Sequence, residues 1–131
     1  MDNQAPISVK KKILVVEDER FLRDLYVQIL TEEGYLMTPA EDGEEALKYL
    51  QEGGFDLVLL DIMLPKLNGI EILRKLKGQP PLNPNKEIVL LTNLGQDALV
   101  AEGISLGVRG YLIKSDYTPD QIIAEVKKIL T

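Results

Sequence analysis

Leu57-Val58-Leu59-Leu60-Asp61 is four apolar residues in a row closed by a carboxylate. A run this short and continuous suits a strand covered on both faces, as in a parallel sheet. A strand with one wet face would alternate apolar and polar residues instead. Working outward, Ile13-Leu14-Val15-Val16 and Ile88-Val89-Leu90-Leu91 have the same form. The first is followed by Glu17-Asp18 and the second by Thr92. Residues 35–40 read as a weaker strand, and Pro39, which has no N–H to give to a ladder, places it at an edge. Tyr111-Leu112-Ile113 after Gly110 reads as a fifth short strand, closed by Lys114.

The segments between these runs carry helical periodicity. Residues 19–33 place Phe21, Leu22, Leu25, Tyr26, Ile29 and Leu30 on one broad stripe, and Gly34 stops the helix. Asp42 with Glu45 has the spacing of a capping box, as does Asn68 with Glu71. Thr118-Pro119-Asp120-Gln121 supplies an N-cap, a proline at the first helical position and a capping glutamine. The helix over 96–106 contains Gly103, which costs about 1 kcal/mol relative to Ala, so it is expected to be the mobile one. Residues 78–85 contain three prolines and read as a long surface loop. Five strand-helix units predict an α/β fold, an open doubly wound parallel sheet with helices on both faces. A flexible segment is expected over 1–11, with the domain over 12–131.

Composition narrows the chemistry. Cysteine and histidine are both absent from the 131 residues. That removes disulfides, thiolate zinc sites, cysteine nucleophiles and imidazole bases. Carboxylate, hydroxyl and lysine remain. The net charge of -6 is a poor balance for holding nucleic acid. Lys10-Lys11-Lys12 is read as a solubilising terminus. No apolar run is long enough to span a membrane, and no secretory signal is written, so a cytoplasmic location is expected.

In an open parallel sheet, ligands bind outside the carboxyl ends of the strands. Glu17, Asp18, Asp61, Thr92 and Lys114 all follow strand ends. If the first, third and fourth strands are neighbours, three carboxylates meet in one crevice. Two unit charges 4 Å apart cost about 4 kcal/mol at an effective dielectric near 20. Lys114 offsets one of the three, and a hard divalent cation would offset two more. Such a site suits phosphoryl transfer to a carboxylate nucleophile, with Asp61 held by the central strand and Thr92 near the phosphoryl oxygens.

The stretches from Leu14 to Glu19 and from Leu59 to Gly69, together with Thr92 and Gly110-Tyr111-Leu112-Ile113-Lys114, resemble a response-regulator receiver domain of two-component signalling. The resemblance runs from about Lys12 to Leu130. It implies a flavodoxin-like fold with five strands in the order 2-1-3-4-5 and five helices. It implies that Asp61 is the phosphoacceptor. It also implies that Asp18 is a direct metal ligand, Glu17 a ligand through water, and the Met63 carbonyl a further ligand. The cofactor would be Mg²⁺ or Mn²⁺. Lys114 would pair with the phosphoryl group, and Thr92 with Tyr111 would form the switch. The Met63 side chain is read as core or loop packing.

The donor implied is a sensor histidine kinase or a phosphotransfer protein. The output would be a protein target, reached through the face of the fourth helix, fifth strand and fifth helix. The chain is expected to be a monomer or a weak dimer through that face, and not an ordinary enzyme. It ends after the fifth expected helix, so no output domain is expected in it; a stand-alone regulator and an excised piece both fit. Two positions depart from the family pattern. Ser115 follows Lys114 where a proline, often cis, is usual, so the turn aiming Lys114 is expected to be trans or more flexible. Asn93 follows Thr92 where a small residue is usual, and its bulk is expected to narrow access to Asp61.

Three other readings compete. A haloacid-dehalogenase-type phosphatase needs a second acid two residues after the nucleophile, where Met63 stands. A flavodoxin-type cofactor binder needs a phosphate loop after the first strand, where Glu17-Asp18-Glu19 would repel the phosphate. A degenerate receiver that only binds partners would not need the full set of Glu17, Asp18, Asp61, Thr92 and Lys114.

Overall fold

The computed structural model describes residues 9–131; of the expected flexible segment, residues 1–8 lie outside the described residues. In chain order the elements are β1 (Lys12–Val16), α1 (Arg20–Glu32), β2 (Leu36–Ala40), α2 (Gly43–Glu52) and β3 (Leu57–Asp61), then α3 (Gly69–Gly78), β4 (Glu87–Thr92), α4 (Asp97–Ser105), β5 (Gly110–Ile113) and α5 (Pro119–Leu130). The strands form one parallel sheet in the order β2-β1-β3-β4-β5. The apolar runs of β1 and β3 are wholly buried, as two-sided cover requires. Pro39 sits on the edge strand β2.

Alternation along the strands sorts the core into two layers. Ile13, Val15, Leu57, Leu59, Leu91 and Leu112 pack with Tyr26 and Leu30 of α1 and with Ile122, Ile123 and Val126 of α5. Leu14, Val16, Val58, Leu60 and Leu90 pack against α2, α3 and α4 on the other side. A carboxylate or lysine just past a strand end inherits one of these two sides.

The helix ends follow their caps. Asn68 and Glu71 form a full capping box at α3, as do Thr118 and Gln121 at α5, where Pro119 is the first helical residue. At α2 only half of the expected box forms. Asp42 accepts from the Glu45 N–H, but the Glu45 side chain accepts from the N–H of Glu41, one residue earlier.

One expectation changes. Phe21, assigned to the buried stripe of α1, is 74% exposed, because the stripe is wider than the strip of helix that meets the sheet. The prolyl loop over 78–85 lies at the surface as expected, and it is fastened to the turn before β3. Gly54 N–H donates to Asn83 O, and the Asn85 side chain bonds both Leu50 O and Phe55 N–H, which seals the far end of the sheet. Gly103 serves close packing: a Cβ there would lie 2.5 Å from Leu90 Cδ1 and 3.4 Å from Ile70 Cδ1. Arg74 of α3 further grips Glu102 of α4 with two hydrogen bonds.

Candidate functional site

Register explains why the polar residues meet. Val16 pairs with Leu60, so Glu17 and Asp61 leave the sheet at one level, both on the α1/α5 side. Asp61 pairs with Leu91 and Leu91 with Leu112, so Lys114 stands two residues above Asp61 on that same side. Two residues of strand are about 6.6 Å, and β4 lies between, so only a long side chain can return to the carboxylate. Lys114 does so. Its Nζ donates to Asp61 Oδ2 at 2.7 Å and to Glu17 Oε1 at 2.5 Å. Every peptide bond among the described residues is trans, and a 3₁₀ turn over Lys114–Asp116 still aims this lysine into the crevice with Ser115 in place of proline.

Glu17 and Asp61 are buried, 1% and 3% exposed, while Asp18 is exposed. One carboxylate oxygen from each of the three lies within 4.8 Å of the others. The acidic triplet divides by role. Glu19 is the N-cap of α1, accepting from the Leu22 N–H at 2.6 Å. Glu17 Oε2 accepts from the Glu19 N–H at 3.1 Å, and Asp61 Oδ1 from the Met63 N–H at 3.3 Å. Burial lifts the carboxyls of Glu17 and Asp61 above their ordinary range, against the opposing pull of the Lys114 ammonium. Burial alone would lower Lys114, but its bonds to Asp61 and Glu17 outweigh it and hold it protonated. Beneath them, burial pushes the Tyr26 phenol up to about 12.

The backbone is shaped around this point. Gly69 has no room for a side chain: a Cβ would lie 2.7 Å from the Asp61 carbonyl oxygen. The start of α3 therefore closes directly onto the strand end that carries Asp61. The Met63 side chain, read as packing, is instead 52% exposed, since it follows the last buried residue of the strand end, Ile62.

Thr92 is buried, but alternation puts it on the opposite side of the sheet from Asp61. Tyr111 shares that side and is 46% exposed. A groove of about 190 Å³ runs between them, lined by Val100, Ala101 and Ile104 of α4. Asn93 is exposed beside Thr92. A larger cavity of about 590 Å³, on the flank of α1, β2 and α2, contains none of the acidic crevice. Charge, not volume, picks out the site.

Two residues escaped the sequence reading. Arg23, on the first turns of α1, donates from its guanidinium to the Glu17 carbonyl at 2.9 Å and to the Asp18 carbonyl at 3.3 Å, holding the acidic loop. Its only sequence signal is an arginine in the first turn of the helix that follows the acidic pair. Gln96, at the start of α4, accepts from Thr92 and Asn93. Nothing in its local sequence marks it.

A family model described as the response regulator receiver domain matches residues 13–127. The chain belongs to that family. Receiver domains are signalling domains rather than classical enzymes. This one is 40% identical over 122 residues to the alkaline phosphatase synthesis transcriptional regulatory protein PhoP of Bacillus subtilis, covering 93% of this chain and 49% of PhoP. It spans about half the length of that regulator. It is 30% identical to chemotaxis protein CheY of Thermotoga maritima, over 91% of this chain and 97% of CheY. Among solved structures, a CheY-like receiver domain protein from Methanospirillum hungatei superposes with a TM-score of 0.78 at 28% identity, covering 92% of this chain and 93% of the other. Response regulator TrrA of Thermotoga maritima, solved in complex with Mg(2+)-BeF, gives 0.72 at 36% identity, covering 91% and 98%. The strand order of this receiver domain is the flavodoxin-like one expected. Among the described residues no helix is long and apolar enough to cross a membrane.

The acidic cluster fits a hard cation. Mg²⁺ holds oxygen ligands at about 2.0–2.1 Å, so opposite ligands lie about 4.2 Å apart. Oxygens within 4.8 Å of one another can converge on one ion by drawing inward, since adjacent ligands lie about 2.9 Å apart.

Proposed function

We propose that this receiver domain accepts a phosphoryl group on the Asp61 carboxylate from a phosphohistidine on a sensor histidine kinase or phosphotransfer protein. The P–N bond of the donor breaks, a P–O bond forms on Asp61, and the imidazole leaves with the electron pair. The observation that carries this is the buried Asp61 carboxylate, pinned by Lys114 inside the Glu17 and Asp18 cluster. Mg²⁺ or Mn²⁺ held by Glu17, Asp18, Asp61 and the Met63 carbonyl would supply the positive charge that lets two anions approach. Lys114 keeps its proton and moves from a carboxylate bridge to the phosphoryl oxygens. Glu17 and Asp18, as acids beside the acceptor, take no proton from it. Asp61 needs none removed, since it reacts as the carboxylate. Hydrolysis of the acyl phosphate restores it.

The added group carries about -1.5 to -2 charges. Thr92 then turns toward it, and Tyr111 turns into the groove that Thr92 leaves, which changes the face of α4, β5 and α5. That face is the proposed route to a protein target or to a weak dimer. A regulator confined to the cytoplasm and acting through protein rather than nucleic acid is part of the same reading, as is the domain over 12–131.

Acetyl phosphate or beryllofluoride with Mg²⁺, read by intact mass and NMR, tests the proposal. Wild type is expected to gain one phosphoryl group. An unmodified protein, or modification that survives Asp61→Asn, would sink it.

A further inference from the structure

Gln96 occupies the N-cap position of α4 but makes no side-chain bond to that helix. Its Oε1 instead accepts from the Asn93 N–H at 3.0 Å and from the Thr92 hydroxyl. Thr92 Oγ1 also lies 3.1 Å from the Asn93 carbonyl. A threonine hydroxyl has one proton to donate. Here that proton is committed to the turn between β4 and α4, and it cannot at the same time serve a phosphoryl oxygen on Asp61. Thr92 is buried, so leaving both Gln96 and the Asn93 carbonyl with no new acceptor would make its hydroxyl a dry, unpaired donor. The hydroxyl is therefore stable either in this turn or on a new acceptor, and Gln96 supplies the side-chain part of its hold in the turn.

We propose that Gln96 is a positioning residue: its side-chain carbonyl holds the Thr92 hydroxyl in the resting turn, and activation has to win that proton from it. The proposal rests on Asp61 being the phosphoacceptor. Two consequences follow. Removing the amide lowers the cost of the active state. Surrendering Thr92 also frees Gln96 from Thr92 while it still holds Asn93, which loosens the start of α4 and carries the signal to that helix.

The test is titration of the full chain with beryllofluoride and Mg²⁺, followed by backbone amide NMR. Gln96→Ala and the length-matched Gln96→Met are both expected to bind beryllofluoride about fivefold more tightly than wild type, the equilibrium shift of one net hydrogen bond. In a Thr92→Ala background neither is expected to change the affinity further, because the hydroxyl they act through is gone. A purely structural role for Gln96 would move both backgrounds alike. Unchanged or weaker binding in both Gln96 variants, or the same gain without the Thr92 hydroxyl, overturns the proposal while leaving Asp61 as acceptor. A wild type with no Asp61-dependent response overturns the acceptor reading, and this one with it.

Discussion

Asp61→Asn removes one charge from the crevice and keeps its shape. Without a divalent cation, three carboxylates there face one ammonium. At an effective dielectric near 20, carboxylate oxygens as far apart as 4.8 Å repel by about 3.5 kcal/mol, and Lys114 at 2.7 Å attracts Asp61 by about 6 kcal/mol. The Glu17 repulsion and the solvent-screened repulsion of exposed Asp18 therefore nearly cancel the Lys114 attraction. Desolvation decides the balance, and burial is the largest influence lifting Asp61. Asn still accepts from Lys114 without a buried charge. The variant should gain about 1–2 kcal/mol at pH 7 in EDTA, the low end for replacing a buried ion, or about 3–8 °C in Tm. The sign depends on pH. Glu17 and Asp61 have folded pKa values raised above their ordinary 4.5 and 3.8. Their contribution is present below those ordinary values and is lost as pH rises through the raised ones. The advantage of the variant should thus appear only above about pH 4 and grow toward neutrality. Mg²⁺ should reverse it, since a ligand at 100 times its Kd stabilises wild type by about 2.7 kcal/mol. Urea melts at several pH values, in EDTA and in MgCl₂, measure all of this. A variant less stable than wild type in EDTA at pH 7, or a difference that ignores pH, refutes the reasoning.

Lys114→Ala leaves Glu17 and Asp61 buried without a counter-charge and should cost about 3–5 kcal/mol in EDTA, less in saturating Mg²⁺; equal losses in both conditions would contradict the shared role. Leu60→Ala removes a fully buried side chain from the central strand and should cost about 2–5 kcal/mol in a chemical melt. Gly103→Ala gains about 1 kcal/mol of helix propensity but forces Leu90 aside, an overpacking cost of about 1–3 kcal/mol. A rise in Tm for that variant would remove the close-packing account.

Much of the site was legible because its chemistry sits at strand ends, where short apolar runs announce their own boundaries. Glu17, Asp18, Asp61 and Lys114, which the structure gathers into one crevice, were legible that way, and the caps at Asn68 and Thr118 by local spacing. What was missed has one physical character. Phe21 was misplaced because periodicity defines a stripe, while the rotation of α1 on the sheet decides which edge of the stripe is buried. The close packing of Gly103 was not legible because propensity knows the helix and not Leu90 beneath it. Gln96 and Arg23 act on groups whose partners are set by turn geometry. The prolines over 78–85 marked a loop, but not that Asn83 and Asn85 fasten it to the turn before β3.

Local pattern and composition were enough for the element order, the two-sided burial of β1 and β3, and a charge set that demands compensation. Only the tertiary structure decided that Glu17, Asp61 and Lys114 share one side of the sheet while Thr92 and Tyr111 share the other. Register between strands far apart in the chain sets those sides, and a slip of one residue would exchange them.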